Sequence, residues 1–108
     1  MTPAEFESLV STRWQRQADV LVGKCGVYSR GGDRLSNFKD GAASRKITPQ
    51  QYLLTLVTKH WVAINDMVDS GETPGQDWIN EYLGDVINYM LLLEGLYADL
   101  HRSPDASN

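Results

Sequence analysis

The chain has 108 residues, 42% hydrophobic and 22% charged, enough for one domain with a core but small for a deep enclosed pocket. Against 14 Asp and Glu there are 10 Lys and Arg, and the formal charge of −4 excludes a basic field over the whole molecule for generic DNA binding. Cys25 is the single cysteine, which excludes an internal disulfide and makes a reducing cytoplasm the expected setting.

The chain opens with MTPAEFESL, which is acidic where a secretory signal is positive. Thr2-Pro3-Ala4-Glu5 instead reads as a helix start, with threonine as cap, proline in the first turn and glutamate reaching back. The first helix is predicted from Pro3 to about Val27, with Phe6, Leu9, Val10, Trp14, Val20, Leu21 and Val27 in a broken apolar stripe. A glycine-broken loop follows over residues 28 to 36, and NFKDGAAS adds one or two helical turns before Arg45.

Thr48-Pro49-Gln50-Gln51 repeats the starting device. It predicts a second long helix from Pro49 to about Ser70, stopped by Gly71, with Leu53, Leu56, Val57, His60, Trp61, Ile64, Met67 and Val68 at three-and-four spacing. Thr73-Pro74-Gly75-Gln76 predicts a third helix from Pro74 to about His101, and SPDASN is expected to fray, leaving residues 1–102 as a single domain. No segment alternates with period two. The expected fold is therefore all-α, an antiparallel helical bundle of three long helices plus a short one.

The third helix is apolar nearly all round, so it is expected to pack against a second copy of the chain as well, making a homo-oligomer through residues 74–101. The longest apolar run, Met90 to Leu93, is far below the roughly 20 residues that span a bilayer, and no membrane partner is expected. Trp14, Trp61 and Trp78 are expected as core anchors.

Within EYLGDVINYMLLL, Glu81, Asp85 and Asn88 fall at i, i+4 and i+7 on one face, and Gly84 beside them removes bulk. If the second and third helices pair antiparallel about residues 70 to 75, Lys59 comes level with Asp85. Two readings remain open: an internal salt bridge with Asn88 as hydrogen-bond partner, or a polar ligand site. A buried ion pair stabilises poorly because desolvation offsets the attraction, and ionisable groups in an apolar setting mark candidate sites. The loop YSRGGDRLSNFK supplies complementary groups: Arg30, Arg34 and Lys39 for phosphate, Asn37 for hydrogen bonds, Tyr28 and Phe38 for stacking. Neither histidine has the spaced partners of a zinc site, and neither a nucleophile with its base nor the GxxxxGK[ST] phosphate loop is recognisable. His60 is expected beside Trp61, or alternatively toward the polar face.

Over residues 20 to 97, through Y…GGDRLSNF, ITPQQ, the lysine of LVTKH and EYLGDVINYMLLL, the chain resembles small phage and prophage helical proteins of unknown or nucleotide-linked role. The last segment is also similar to the E-E-L-x-D-V-x-x-Y-L helix of MazG-like all-α nucleoside triphosphate pyrophosphohydrolases. Their acidic pairs hold magnesium on a triphosphate, and Asp85 matches the final aspartate, but Tyr82 stands where a glutamate is expected and Glu81 is one position early.

The first resemblance implies a phage-encoded nucleotide-binding protein that sequesters a nucleotide-derived host defence signal without hydrolysis and needs no cofactor. Phosphate would lie on Arg30, Arg34, Lys39 and Lys59, ribose or base on Asn37, Asp85 and Asn88, and the stack on Tyr28 or Phe38. The second implies a magnesium-dependent pyrophosphohydrolase with Asp66, Glu81 and Asp85 on the metal. A protein-interaction module using the apolar third helix is a further alternative.

Overall fold

The computed structural model of the protein describes residues 1–23 and 32–107, with side chains through Arg102. Tyr28, Arg30 and the expected end of the first helix at Val27 lie outside the described residues. The order is α1 (Pro3–Gly23), α2 (Ser36–Arg45), α3 (Pro49–Ser70), then a last helical run made of α4 (Gln76–Trp78), a π-helical turn (Ile79–Leu83) and α5 (Gly84–Ser107). No strand forms among the described residues, and none of these helices is long and apolar enough to cross a membrane.

Two of the three expected starts form as read. Thr2 Oγ1 accepts from the Glu5 amide at 3.1 Å while Glu5 returns a carboxylate oxygen to the Thr2 amide at 2.8 Å. Those bonds from the Thr2 backbone and side chain lower the Glu5 pKa. Thr48 and Gln51 make the same reciprocal pair at the start of α3, and Gly71 ends it in the left-handed region at φ 74°. The third start fails: the helix begins at Gln76 with Gly75 as cap and no side-chain cap bond. Glycine at the second helical position is a poor helix former, so beginning after it avoids fixing its backbone.

The dry core is small and lies between α2, α3 and α5. Leu53 and Val57 are fully buried beside Phe38 and Leu96, with Leu35, Tyr52, Leu56, Tyr89, Leu92 and Leu93 packed around them. Along α3 and the last run the pairing climbs one helix as it descends the other, since Leu53 shares a cluster with Leu96 while His60 meets Asp85. Gly41, inside α2, is a packing requirement, because a Cβ there would run into the Tyr52 ring. Asp33 secures the entry to α2: one carboxylate oxygen accepts the Leu35 amide at 2.9 Å and the other meets Lys39 at 2.7 Å, while Lys39 also reaches Asp99 of α5.

α1 is different. Its one buried residue is Gln17, while Phe6, Leu9 and Trp14 are at least half exposed. Of the expected tryptophan anchors, Trp14 and Trp61 lie half exposed, and only Trp78 is sheltered, its ring 5.0 Å from that of Tyr82.

Candidate functional site

The polar stripe of the last helical run is met by two side chains of α1. Gln17, 2% exposed, donates through Nε2 to the Gly84 carbonyl and to Asn88 Oδ1, each at 2.7 Å, and accepts from Arg13 at 2.8 Å. Arg13 also donates to Asn80 Oδ1 at 3.0 Å. Gly84 permits this approach, because a Cβ there would stand 3.1 Å from both Arg13 and Gln17. The removed bulk that the sequence showed thus admits side chains of α1. With Oδ1 engaged, Asn88 retains Nδ2 for the pockets it lines, with no hydrogen-bond partner among the described residues.

On the opposite flank, His60 of α3 points inward. Its Nε2 lies 3.1 Å from Asp85 Oδ2, and its ring centre lies 5.6 and 5.5 Å from those of Tyr82 and Tyr89. Nδ1 is buried without a hydrogen-bond partner among the described residues. The proton of the neutral ring therefore sits on Nε2, where the carboxylate accepts it; on Nδ1 it would have no acceptor. Lys59 was expected at this place and is exposed instead. His60 follows buried Leu53 and Val57 by seven and three residues, so it shares their face, whereas Lys59 is turned about 100° away.

Between these flanks is a pocket of about 170 Å³. Arg34, Asn37, Asp85 and Asn88 supply its polar groups, and Val20, Leu56, Phe38 and Tyr89 contribute to its walls. Asp85, Asn88 and Val20 also line a shallower neighbour of about 310 Å³, together with Arg16, Gln17, Asp77 and Glu81. Three carboxylates against one guanidinium make this second pocket unfavourable for phosphate.

Arg34, Asn37, Phe38, Asp85 and Asn88 thus line one concavity. Other assignments change. Lys39 is held between Asp33 and Asp99, both at 2.7 Å, and those hydrogen bonds raise its pKa, so a phosphate would have to displace two carboxylates. Phe38 is 4% exposed and belongs to the core, where it can form a wall but not a stacking platform open on a face. Of the four expected cations, Arg34 is the one among the described residues that lines this pocket. Sequence reasoning missed Arg13 and Gln17, which look like ordinary solvated positions; their i, i+4 spacing opposite a glycine was the available signal.

For the metal alternative, Asp66 and Glu81 are exposed while Asp85 is engaged by His60. Among the described residues no group of three His, Cys, Asp or Glu side chains that could hold a metal ion is present. The π-helical turn, Ile79–Leu83, contains Glu81 and adds a residue to the local turn, shifting it relative to Asp85. Comparison with family models, curated proteins and solved structures gave no match.

Proposed function

We propose that the protein binds a nucleotide-class ligand base first, at the seam between α1, α2, α3 and α5, and holds it without chemistry. The observation that carries this reading is the single pocket lined by Arg34 and Asn37 from one segment and by Asp85 and Asn88 from another, with apolar walls between. A planar base matches that composition. Its exocyclic amine can donate to Asp85, its ring edge can meet an asparagine amide, and its faces are covered by aliphatic and aromatic carbon.

Size argues for the base rather than the whole molecule, since a pocket of about 170 Å³ is below the roughly 300 Å³ at which drug-sized sites begin. The phosphate end would leave on the Arg34 side, away from the carboxylates of the neighbouring pocket. A sequestering, phage-encoded role rests on the sequence resemblance alone. In the same reading the protein works as an oligomer whose contact includes the last helical run.

Calorimetric titration with bases, nucleosides, linear nucleotides and cyclic nucleotides tests the proposal. The expected pattern is strong dependence on the base, weak dependence on phosphate number, and loss of at least tenfold in Asp85→Asn. Absence of any binding better than about 1 mM, equivalent to about 4 kcal/mol, removes the proposal. Affinity that follows phosphate number regardless of base overturns the orientation.

A further inference from the structure

We infer that the outer face of α1 and the neighbouring face of the last helical run form a self-association surface, on which α1 of a second copy of this chain docks antiparallel. A groove of about 830 Å³ runs between these elements, with Leu9, Ile79, Leu83 and Ile87 as its apolar lining. Leu9 is 50% and Leu83 39% exposed in the single chain. These apolar side chains alternate with polar and charged ones, so charge rather than apolar area has to identify what docks here.

Charge identifies the occupant. Glu5, Leu9, Thr12 and Arg16 all line the groove at i, i+4, i+7 and i+11, a single stripe on α1 with an acid at one end and a base at the other. Two such stripes laid antiparallel put Glu5 of each copy opposite Arg16 of the other. The contact is therefore self-complementary about a two-fold axis near Val10. Ser8 and Thr12 are small enough to let the helices approach. Arg16 has no partner among the described residues, and the cap bond to Thr2 uses only one Glu5 oxygen.

The shape of the single chain agrees. Its radius of gyration is 16.4 Å, whereas a compact domain of this length has about 13 Å. Much of α1 lies on the outside, held by the hydrogen bonds of Arg13 and Gln17 rather than by buried carbon. This surface is independent of the proposed ligand, because none of Glu5, Leu9, Thr12 and Arg16 lines the 170 Å³ pocket.

Sedimentation equilibrium from 1 to 200 µM tests the inference, with circular dichroism confirming that each variant stays helical. The wild type is expected to associate in even multiples of the 12.1 kDa chain. Leu9→Asp, at a half-exposed position, should weaken association at least tenfold. Glu5→Arg and Arg16→Glu should each weaken it, and the double exchange should restore most of the loss; Glu5→Arg and the double variant share the same loss of the cap. A wild-type monomer at 200 µM, association unchanged in Leu9→Asp, or a double exchange no better than Glu5→Arg would each overturn it.

Discussion

The two sides of the last helical run are held by different forces. Toward α2 and α3 the contact is dry, with Leu53 and Val57 fully buried against Phe38 and Leu96. Toward α1 it is a clasp of amides and a guanidinium, Arg13 and Gln17 on Asn80, Gly84 and Asn88, while Phe6, Leu9 and Trp14 stay at least half exposed. Burying an aliphatic side chain stabilises by about 1.5–3 kcal/mol, whereas a hydrogen bond exchanged with water nets about 1 kcal/mol. The α2–α3–α5 side should therefore set global stability. α1 should be the part that opens first, and the candidate pocket spans both sides, with Val20 on one wall and Leu56 on another.

The sharpest way to break this contrast is to hollow the dry side. Leu53→Ala should cost about 2–5 kcal/mol in urea unfolding and affect every helix together, since Leu53 is fully buried in the core cluster that α2, α3 and α5 share. Gln17→Leu attacks the other side. It leaves Asn88 Oδ1 and one Arg13 donor without their partner and removes the side-chain bond to the Gly84 carbonyl, and should cost about 1–3 kcal/mol. Hydrogen exchange distinguishes the two: Gln17→Leu should speed exchange in α1 while α3 keeps its protection, and equal acceleration in both helices would show that the two sides are a single cooperative unit.

Gly41→Ala probes the α2–α3 packing more gently, by pushing the Tyr52 ring away, and should cost about 1–3 kcal/mol with no change in α1 exchange.

The smallest effect belongs to the ion cluster at the start of α2. Hydrogen bonding to Lys39 and to the Leu35 amide lowers the Asp33 pKa from 3.8, and the bonds to Asp33 and Asp99 raise that of Lys39 from 10.5. A depressed acid stabilises above its unfolded value and loses that contribution as pH falls through the folded one; a raised amine stabilises below its unfolded value and loses it as pH rises through the folded one. Between those ordinary values both contributions are present. Because all three groups are over a third exposed, the cluster should contribute only about 0.2–1 kcal/mol. Urea unfolding of Lys39→Met against wild type should show that difference at pH 7 and a smaller one at pH 3. A difference that is unchanged at pH 3 would exclude Asp33 as its source.

Much of the fold was legible because its signals are local. Thr48, Pro49, Gln51 and Gly71 carry their instructions within one turn, and α3 begins and ends where they place it. The polar stripe was also legible, since Glu81, Asp85 and Asn88 do line one pocket. What was illegible depends on tertiary partners. A rotation of one residue decides between Lys59 and His60 at Asp85, and the sequence alone could not fix the inward direction of α3 to that accuracy. Gln17 and Arg13 belong to the most weakly patterned helix, so only the approach of Gly84 gives them a role. Lys39 looked available for phosphate because Asp99, its second partner, lies sixty residues away.

The seam pocket as a base site is tested most directly by methyl NMR of the full chain during addition of nucleosides and nucleotides. The prediction is that shifts concentrate on Val20, Leu21, Leu56 and Leu92, which line the pocket from α1, α3 and α5, while Leu53 beneath them moves little. Saturable shifts confined to methyls away from the pocket, or none at millimolar ligand, would contradict the account and leave a helical protein whose polar stripe serves only to hold α1.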